Sequence, residues 1–465
     1  MCLLSCVGGR GLPVRALGRG STFWGMSGAG ARAAQPRRKR AAGGGGVNGG
    51  AKRRKRGGGA EDPSLEYIAA PLSAPLVLAA KAHFQSLGFG LGSFKVVLGP
   101  MQGWRTVAKL AVRGVGEGNL ILPNQSIGLF APGSHNIVPC CDSSVHHPAI
   151  NKAARLCEQV FVSSSVTGYS EERDAGLVRY LLFSVCIDTA RVQLTIVVNL
   201  SPGQAAPGKF DEAIAALCSH QDVLHSCWVH YHPASRHNNA ITGRMDDSWV
   251  CRVGNPDLAV RLETTPRRPT DGPRLFFPPN VFRQANVTAF AKIVDAIRLF
   301  VPAKSKIIEL YAGVGTIGLN LLDCGLRVKK LECSDENPYN ELCFNKSVAD
   351  LREKYQKRVK YITASASKRA LSGVFRKFNL LIVDPPRKGL DEEVVQELLT
   401  PSAPHKKNRL SRVIYVSCGF KAFARDCARL LAGGFKIVHA EGHVLFPGSD
   451  HIETLCVFDR VVMSD

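Results

Sequence analysis

The chain has 465 residues, too many for one ordinary core, so two or three domains are expected. Hydrophobic residues make up 45% and charged residues 21%, and no run approaches about 18 consecutive apolar residues, which excludes a membrane-spanning chain and a wholly disordered one. The net charge of +22 points to a polyanionic partner, yet residues 1–60 hold 13 Lys and Arg with no Asp or Glu, leaving 47 basic against 38 acidic side chains in the rest.

Residues 1–65 read as a disordered basic targeting tail, rich in Gly, Ala and Arg, with glycine runs at Gly43–Gly46 and Gly57–Gly59. An Arg-rich, acid-free N-terminus fits an organellar transit peptide, chloroplast or mitochondrial. The clusters Arg37–Arg40 and Lys52–Arg56 fit a nuclear signal, or a solvated arm that adds non-specific affinity for nucleic acid. Arg10 and Arg15 interrupt the apolar core that a secretory signal needs.

Residues 66–275 favour short strands with intervening helices, an α+β region. Phe94–Leu98, Leu181–Cys186, Val192–Asn199 and Ser226–Tyr231 are β-branched or aromatic-rich and bounded by turn residues; the second and third form a hairpin through residues 187–191. Pro266, Pro269 and Pro273 then mark a domain boundary. From residue 276 to 465 apolar strands alternate with amphipathic helices, as in a mostly parallel sheet covered on both faces. The expected strands are Lys306–Leu310, Val328–Glu332, Val359–Ile362, Asn379–Val383, Arg412–Val416, Phe435–Ala440 and Thr454–Phe458. The fold class is α/β, a Rossmann-like sheet with ligands at the carboxyl ends of its strands.

The fifteen cysteines form no regular framework and read as reduced thiols. Two Cys/His groupings, Cys140, Cys141, His146 and His147, and the stretch from Cys218 to His232, lack any C-x-x-C pair, so no metal site is expected.

Three strand ends carry chemistry. The first strand runs into a turn whose Gly313, Gly315 and Gly318 satisfy G-x-G-x-x-G, and Glu332 lies at the expected end of the next strand, where a carboxylate can bind ribose hydroxyls. A dinucleotide and S-adenosylmethionine both fit this pattern, as does a glycine turn with no ligand. The fourth strand ends in Asp384-Pro385-Pro386, a carboxylate on a rigid turn for which a dehydrogenase has no evident need. The fifth delivers Cys418 to the same edge; a buried free Cys is usually a small hydrophobe, but a thiol just beyond an apolar strand end suits a nucleophile.

These residues together resemble the S-adenosylmethionine-dependent RNA uracil-5 methyltransferases of transfer and ribosomal RNA. The resemblance rests on Phe277-Pro278-Pro279-Asn280-Val281-Phe282-Arg283-Gln284-Ala285-Asn286, the Glu309–Gly315 turn, Glu332, the stretch from Asp384 to Leu390, Ser417-Cys418 with Ala424-Arg425-Asp426 after it, and His451-Ile452-Glu453-Thr454. Trp104-Arg105 to Arg113, Ile127–Phe130, Ser134–Val138 and His146-His147-Pro148 are similar, more weakly, to the family's substrate-recognition region. The resemblance implies a class I methyltransferase domain over 276–465, an RNA-recognition region over 66–275, and a monomer acting on tRNA or rRNA away from membranes. It implies Cys418 as nucleophile and Glu453 as base. Gln284, Tyr311, Gly313, Thr316, Glu332 and Asp384 would line the cofactor or the target base. Two departures stand out. Gly419-Phe420 follows the nucleophile where the family commonly has Asn-Pro. Residues 66–130 contain no cysteine, so no iron-sulfur cluster is expected. Rival readings are a methyltransferase acting on an exocyclic nitrogen, which would want an aromatic residue where Arg387 stands, and an RNA-binding protein that has kept the fold without turnover.

Overall fold

A computed structural model describes residues 62–90, 92–132, 134–233, 245–265, 272–323, 328–400 and 410–461. The basic segment that carries the targeting expectation lies outside them, except that residues 63–65, assigned to the tail, form a 3-10 turn capped by Asp62.

Strands follow the chain as β1 (Lys95–Leu98), β2 (Val107–Val112), β3 (Ile127–Phe130), β4 (Ile137–Pro139), β5 (Val178–Cys186), β6 (Arg191–Val198), β7 (Leu224–Tyr231), β8 (Trp249–Gly254), β9 (Leu258–Val260) and β10 (Leu275–Phe277). They continue as β11 (Lys306–Leu310), β12 (Lys330–Asp335), β13 (Val359–Thr363), β14 (Leu380–Val383), β15 (Arg412–Ser417), β16 (Phe435–Val444) and β17 (Glu453–Arg460). Eight of them form one sheet in the order β1-β16-β17-β15-β14-β11-β12-β13, seven form another in the order β4-β3-β2-β5-β6-β7-β8, and β9 pairs with β10.

In the eight-stranded sheet β11, β12, β13, β14 and β15 are mutually parallel, while β17 runs antiparallel to both β15 and β16. Apolar residues cover both faces, as the alternating strand-helix pattern requires. Ile307, Leu331, Ile382, Ile414 and Val457 meet helix Val287–Leu299 on one side. Ile308, Leu381, Val413, Tyr415 and Phe458 meet helices Glu392–Leu399 and Phe420–Ala432 on the other. The chain leaves β11 toward β13 and then returns across the sheet to β14, so the switch point lies between β11 and β14, where a crevice opens at the carboxyl ends.

The seven-stranded sheet is antiparallel apart from the β6–β7 pair, which is joined through helix Phe210–Ser219. The expected hairpin is β5–β6, with Cys186 opposite Arg191. Helices Pro148–Ser163 and Phe210–Ser219 bury one face of this sheet over Leu110, Leu181, Phe183, Leu194 and Val229.

The division between sheets does not follow chain order. Residues 71–98, placed by the sequence with the recognition region, belong to the C-terminal sheet: β1 pairs in parallel with β16, and helix Pro75–Ser86 buries Val77, Ala80 and Phe84 against Phe423 and Phe94. Strand length alone cannot reveal this, because the partner of β1 lies at the other end of the chain. The seven-stranded sheet is therefore inserted between the first strand of the eight-stranded sheet and the rest of it. The stretch after β10 stitches the two sheets together. Arg283 is buried and donates to the Thr106 and Val185 carbonyls at 3.3 and 2.9 Å, and Thr106 N–H donates to the Ala285 carbonyl at 2.7 Å.

Among the described residues no helix is long and apolar enough to cross a membrane.

Candidate active site

The crevice is a cavity of about 700 Å³ whose lining includes Gln284, Tyr311, Gly313, Thr316, Asp384, Cys418 and Glu453, all expected from the sequence. Each reaches it by a local cause.

At one end β11 runs into the glycine turn. Tyr311 sits at φ 56°, a left-handed conformation costly for a bulky side chain, and its hydroxyl accepts the Asp391 N–H at 3.0 Å, so the turn after β11 is tied to the loop after β14. Gly313 has φ 54°, and a Cβ there would project into open space, which leaves bare backbone facing the cavity. Behind the turn Glu309 is buried and accepts the Gly318 N–H at 2.9 Å, fixing the start of helix Thr316–Asp323; burial pushes its carboxyl up to about 7.

Glu332 is a correction. The strand expected to end there continues three residues to Asp335, and Glu332 points away from the cavity, paired with Arg369 and, at 3.0 Å, with Lys330. At the true strand end Asp335 and Glu336 line the cavity, and Asp335 accepts the Gly313 N–H at 3.1 Å and the Asn337 N–H at 3.0 Å. A sequence signal for it existed. Asn337-Pro338 caps the next helix, Asn337 accepting the Tyr339 N–H, so the strand must end at the two carboxylates before that cap, Asp335 and Glu336. Asn340, on the same helix, also lines the cavity, and its Oδ1 is buried with no hydrogen-bond partner among the described residues.

At the other end β14 supplies Asp384, β15 supplies Cys418 and β17 supplies Glu453. Because β17 is antiparallel to β15, its first residues lie beside the last residues of β15, and the register pairs Ser417 with Thr454. That pairing brings residues 418 and 453 to one edge. Burial pushes the Asp384 carboxyl up to about 7. Burial, then the neighbouring Glu453 and Asp384, push the Cys418 thiol up to about 12, against a downward pull from Arg387. Glu453 is held well above the usual carboxylate range by burial and then by Asp384. His451 also lines the cavity; burial, then Arg387, lower its imidazole to about 4. The sequence singled out His451 only as part of a motif.

Asp426 stays outside the cavity. It is fully buried and accepts the Leu390 N–H and the Tyr415 hydroxyl, each at 2.9 Å, so it clamps the loop that follows Asp384. The departure at Gly419 has a steric reason: a Cβ there would collide with the Arg387 carbonyl, so the loop after Asp384 occupies the space a larger residue would take. Phe420 packs edge-on against His83 of helix Pro75–Ser86, ring centroids 5.6 Å apart.

Fold and site together define a class I-like α/β domain with a thiol and a carboxylate at the sheet edge. No protein-family model matches the chain. Over 367 residues, 78% of the chain and 87% of the relative, it is 32% identical to an uncharacterised RNA methyltransferase of Protochlamydia amoebophila. It is 25% identical over 343 residues, 72% of the chain and 68% of the relative, to one from Caldanaerobacter subterraneus. Among solved structures it is similar to the Pyrococcus abyssi tRNA (uracil-54, C5)-methyltransferase in complex with S-adenosyl-L-homocysteine, with a TM-score of 0.60, 21% identity and 82% of each chain covered. The chain belongs to the RNA methyltransferase family. It shares its fold with the Pyrococcus enzyme.

Proposed function

We propose that the protein methylates C5 of uridine in RNA through a covalent adduct between Cys418 and C6, with S-adenosylmethionine as methyl donor. The observation that carries this reading is the meeting of a thiol and a carboxylate, Cys418 and Glu453, in the cavity at the end of β15. Methylation of an exocyclic nitrogen needs no nucleophilic thiol. Methylation of C5 does, because uracil C5 is not nucleophilic enough unaided.

The residues present fit the donor. Bare backbone at Gly313, the Asp335 carboxylate and the unpartnered Asn340 Oδ1 would hold it, with Thr316 and Gln284 on the same lining. When bound, S-adenosylmethionine supplies an electrophilic methyl group. The chain's own residues do the rest. Cys418 loses its proton and its sulfur bonds to C6, which pushes an electron pair onto C5. Once C5 carries the methyl group, Glu453 takes the C5 proton, the pair returns to form the C5–C6 double bond, and the thiolate leaves.

Single-turnover incubation with methyl-labelled S-adenosylmethionine and bulk tRNA or rRNA tests the reading. Label is expected in 5-methyluridine after nucleoside analysis; label in a methylated purine or cytidine, or none, would overturn it.

A further inference from the structure

The turn between β16 and β17, residues 445–452, is a surface loop that also builds the cavity. Phe446 and His451 line the cavity from it, their ring centroids 4.9 Å apart, and Glu453 follows at the start of β17. Within the turn the Ser449 N–H and hydroxyl donate to the Phe446 carbonyl at 3.1 and 2.9 Å, and the His451 N–H donates to the Ser449 carbonyl at 2.9 Å. Loops are mobile by default, whereas side chains that meet a substrate need fixed positions.

The outer side of the turn is held by the N-terminal stretch. The Gly448 carbonyl accepts the Tyr67 N–H at 2.7 Å, and the Asp450 carboxylate accepts the Leu76 N–H at 2.7 Å, capping helix Pro75–Ser86 from another element. Gly448 has φ 102° and lies so close to the Ser64 carbonyl that a Cβ would collide with it. The same stretch is anchored at its far end on the other sheet. Asp62 Oδ1 accepts the Ser64 N–H and hydroxyl at 2.9 and 2.6 Å, and Oδ2 accepts the hydroxyl of buried Ser143 at 2.7 Å, on the loop between β4 and helix Pro148–Ser163. That loop is itself tied down: the Ser143 carbonyl accepts the His146 N–H at 3.2 Å and the Asn151 side-chain amide at 3.1 Å.

We propose that residues 62–70 are a positioning strap: anchored through Asp62 to the seven-stranded sheet, they hold the β16–β17 turn so that Phe446 and His451 close the reactive end of the cavity beside Cys418 and Glu453. Asp62 acts through the turn and lies outside the cavity lining. What the closed end does rests on the uracil-C5 reading; the strap itself rests on the contacts just given. The other contact between the two sheets at this corner is aromatic, Trp104 against Phe446 with centroids 5.4 Å apart. Ring packing sets a distance but little direction, and the strap adds directed bonds. Burial pushes the Asp62 carboxyl up, but the bonds from Ser64 and Ser143 outweigh it and hold the group below its usual range, so the anchor is charged at neutral pH and its bonds are charge-assisted. A released turn would admit water to Asp384, Cys418 and Glu453, which burial keeps uncharged at rest.

The test compares full-length Asp62→Ala, Ser143→Ala and Asp62→Asn with the wild type, using bulk tRNA or rRNA and methyl-labelled S-adenosylmethionine. Asp62→Ala is expected to lower the turnover number at saturating RNA by about ten- to a hundredfold, the scale of a misplacement of about 1 Å, with KM for RNA and calorimetric cofactor affinity unchanged. Ser143→Ala should act in the same direction, and the double variant should be no slower than Asp62→Ala alone, because the two residues share one bond. Asp62→Asn, whose oxygen still accepts from Ser64 and whose amide can donate to the Ser143 hydroxyl, should recover most of the turnover. Hydrogen exchange at the Tyr67, Ser449 and His451 amides should quicken in Asp62→Ala while the Tyr415 and Val457 amides stay protected. Wild-type turnover in Asp62→Ala would overturn the strap. So would Asp62→Asn as slow as Asp62→Ala, or protection lost evenly across β15 and β17, which would mean that Asp62 serves stability alone. If the wild type labels no 5-methyluridine while the exchange pattern is as expected, the uracil-C5 reading has failed and the strap stands.

Discussion

The two ends of the cavity are built from different materials. The glycine-turn end offers backbone and hydrogen-bonding oxygens held within one short stretch, from Glu309 to Asn340. The other end offers side chains that would rather not be charged, Asp384, Cys418, His451 and Glu453, gathered from three strands. A binding surface can be made from local geometry, whereas a set of groups trading protons needs a dry place that only the assembled sheet provides.

The comparison predicts that the two ends fail separately. The largest effect is expected from Cys418→Ala, which should reduce methyl transfer to background and abolish the adduct while calorimetric titration shows cofactor affinity unchanged; substantial residual turnover would remove the thiol from the mechanism. At the opposite end, Asp335→Ala should weaken cofactor binding by about ten- to a hundredfold, the equivalent of about 1.5–3 kcal/mol for charge-assisted hydrogen bonds. Glu332→Ala should do the reverse, leaving that affinity intact but costing on the order of 3 kcal/mol of stability in denaturant melts, since it strands the mostly buried Arg369 without its carboxylate. If Glu332→Ala weakens the cofactor and Asp335→Ala does not, the placement of β12 is wrong.

Between the ends lies the clamp. Asp426→Asn weakens its bonds to Leu390 N–H and the Tyr415 hydroxyl and should lower stability by about 1–2 kcal/mol, together with a reduced turnover number at unchanged cofactor affinity. The smallest effect concerns pH. Glu309 and Asp384 both have folded-state values raised to about 7, so between the ordinary carboxylate range and pH 7 the folded protein binds more protons than the unfolded chain. Their contribution to stability is therefore full at low pH and is lost as pH rises through about 7. Glu309→Gln should flatten the fall in denaturant midpoint between about pH 4.5 and 7; an unchanged slope would mean that Glu309 titrates normally.

What the sequence made legible follows the same divide. The strands from β11 to β17 were readable because each is a short apolar run flanked by turn residues, and the edge residues Gly313, Asp384, Cys418 and Glu453 fell at their ends. Glu332 was misplaced because a Ser-Asp extension of an apolar run looks like a turn, and only the Asn337-Pro338 cap fixes where β12 stops. Asp426 was visible only as a member of a motif, since a carboxylate's partners, here a backbone amide and a tyrosine hydroxyl from other elements, leave no trace in its own neighbourhood. His451 was visible as a letter in a motif; its unpartnered nitrogen is a fact of packing. The pairing of β1 with β16 was invisible for a plainer reason, the length of chain between them.

That pairing has a consequence for how the protein is made. The seven-stranded sheet is complete once β8 has emerged from the ribosome, whereas β1 waits for β16, which at roughly 5–20 residues per second means on the order of tens of seconds. During that interval β1 and helix Pro75–Ser86 have no sheet to join, and the apolar faces of Val77, Phe84 and Phe94 stay open to solvent or to a chaperone. A nascent chain stalled before β16 would thus hold a finished seven-stranded sheet beside an unfinished eight-stranded one, with an unpaired strand near its front.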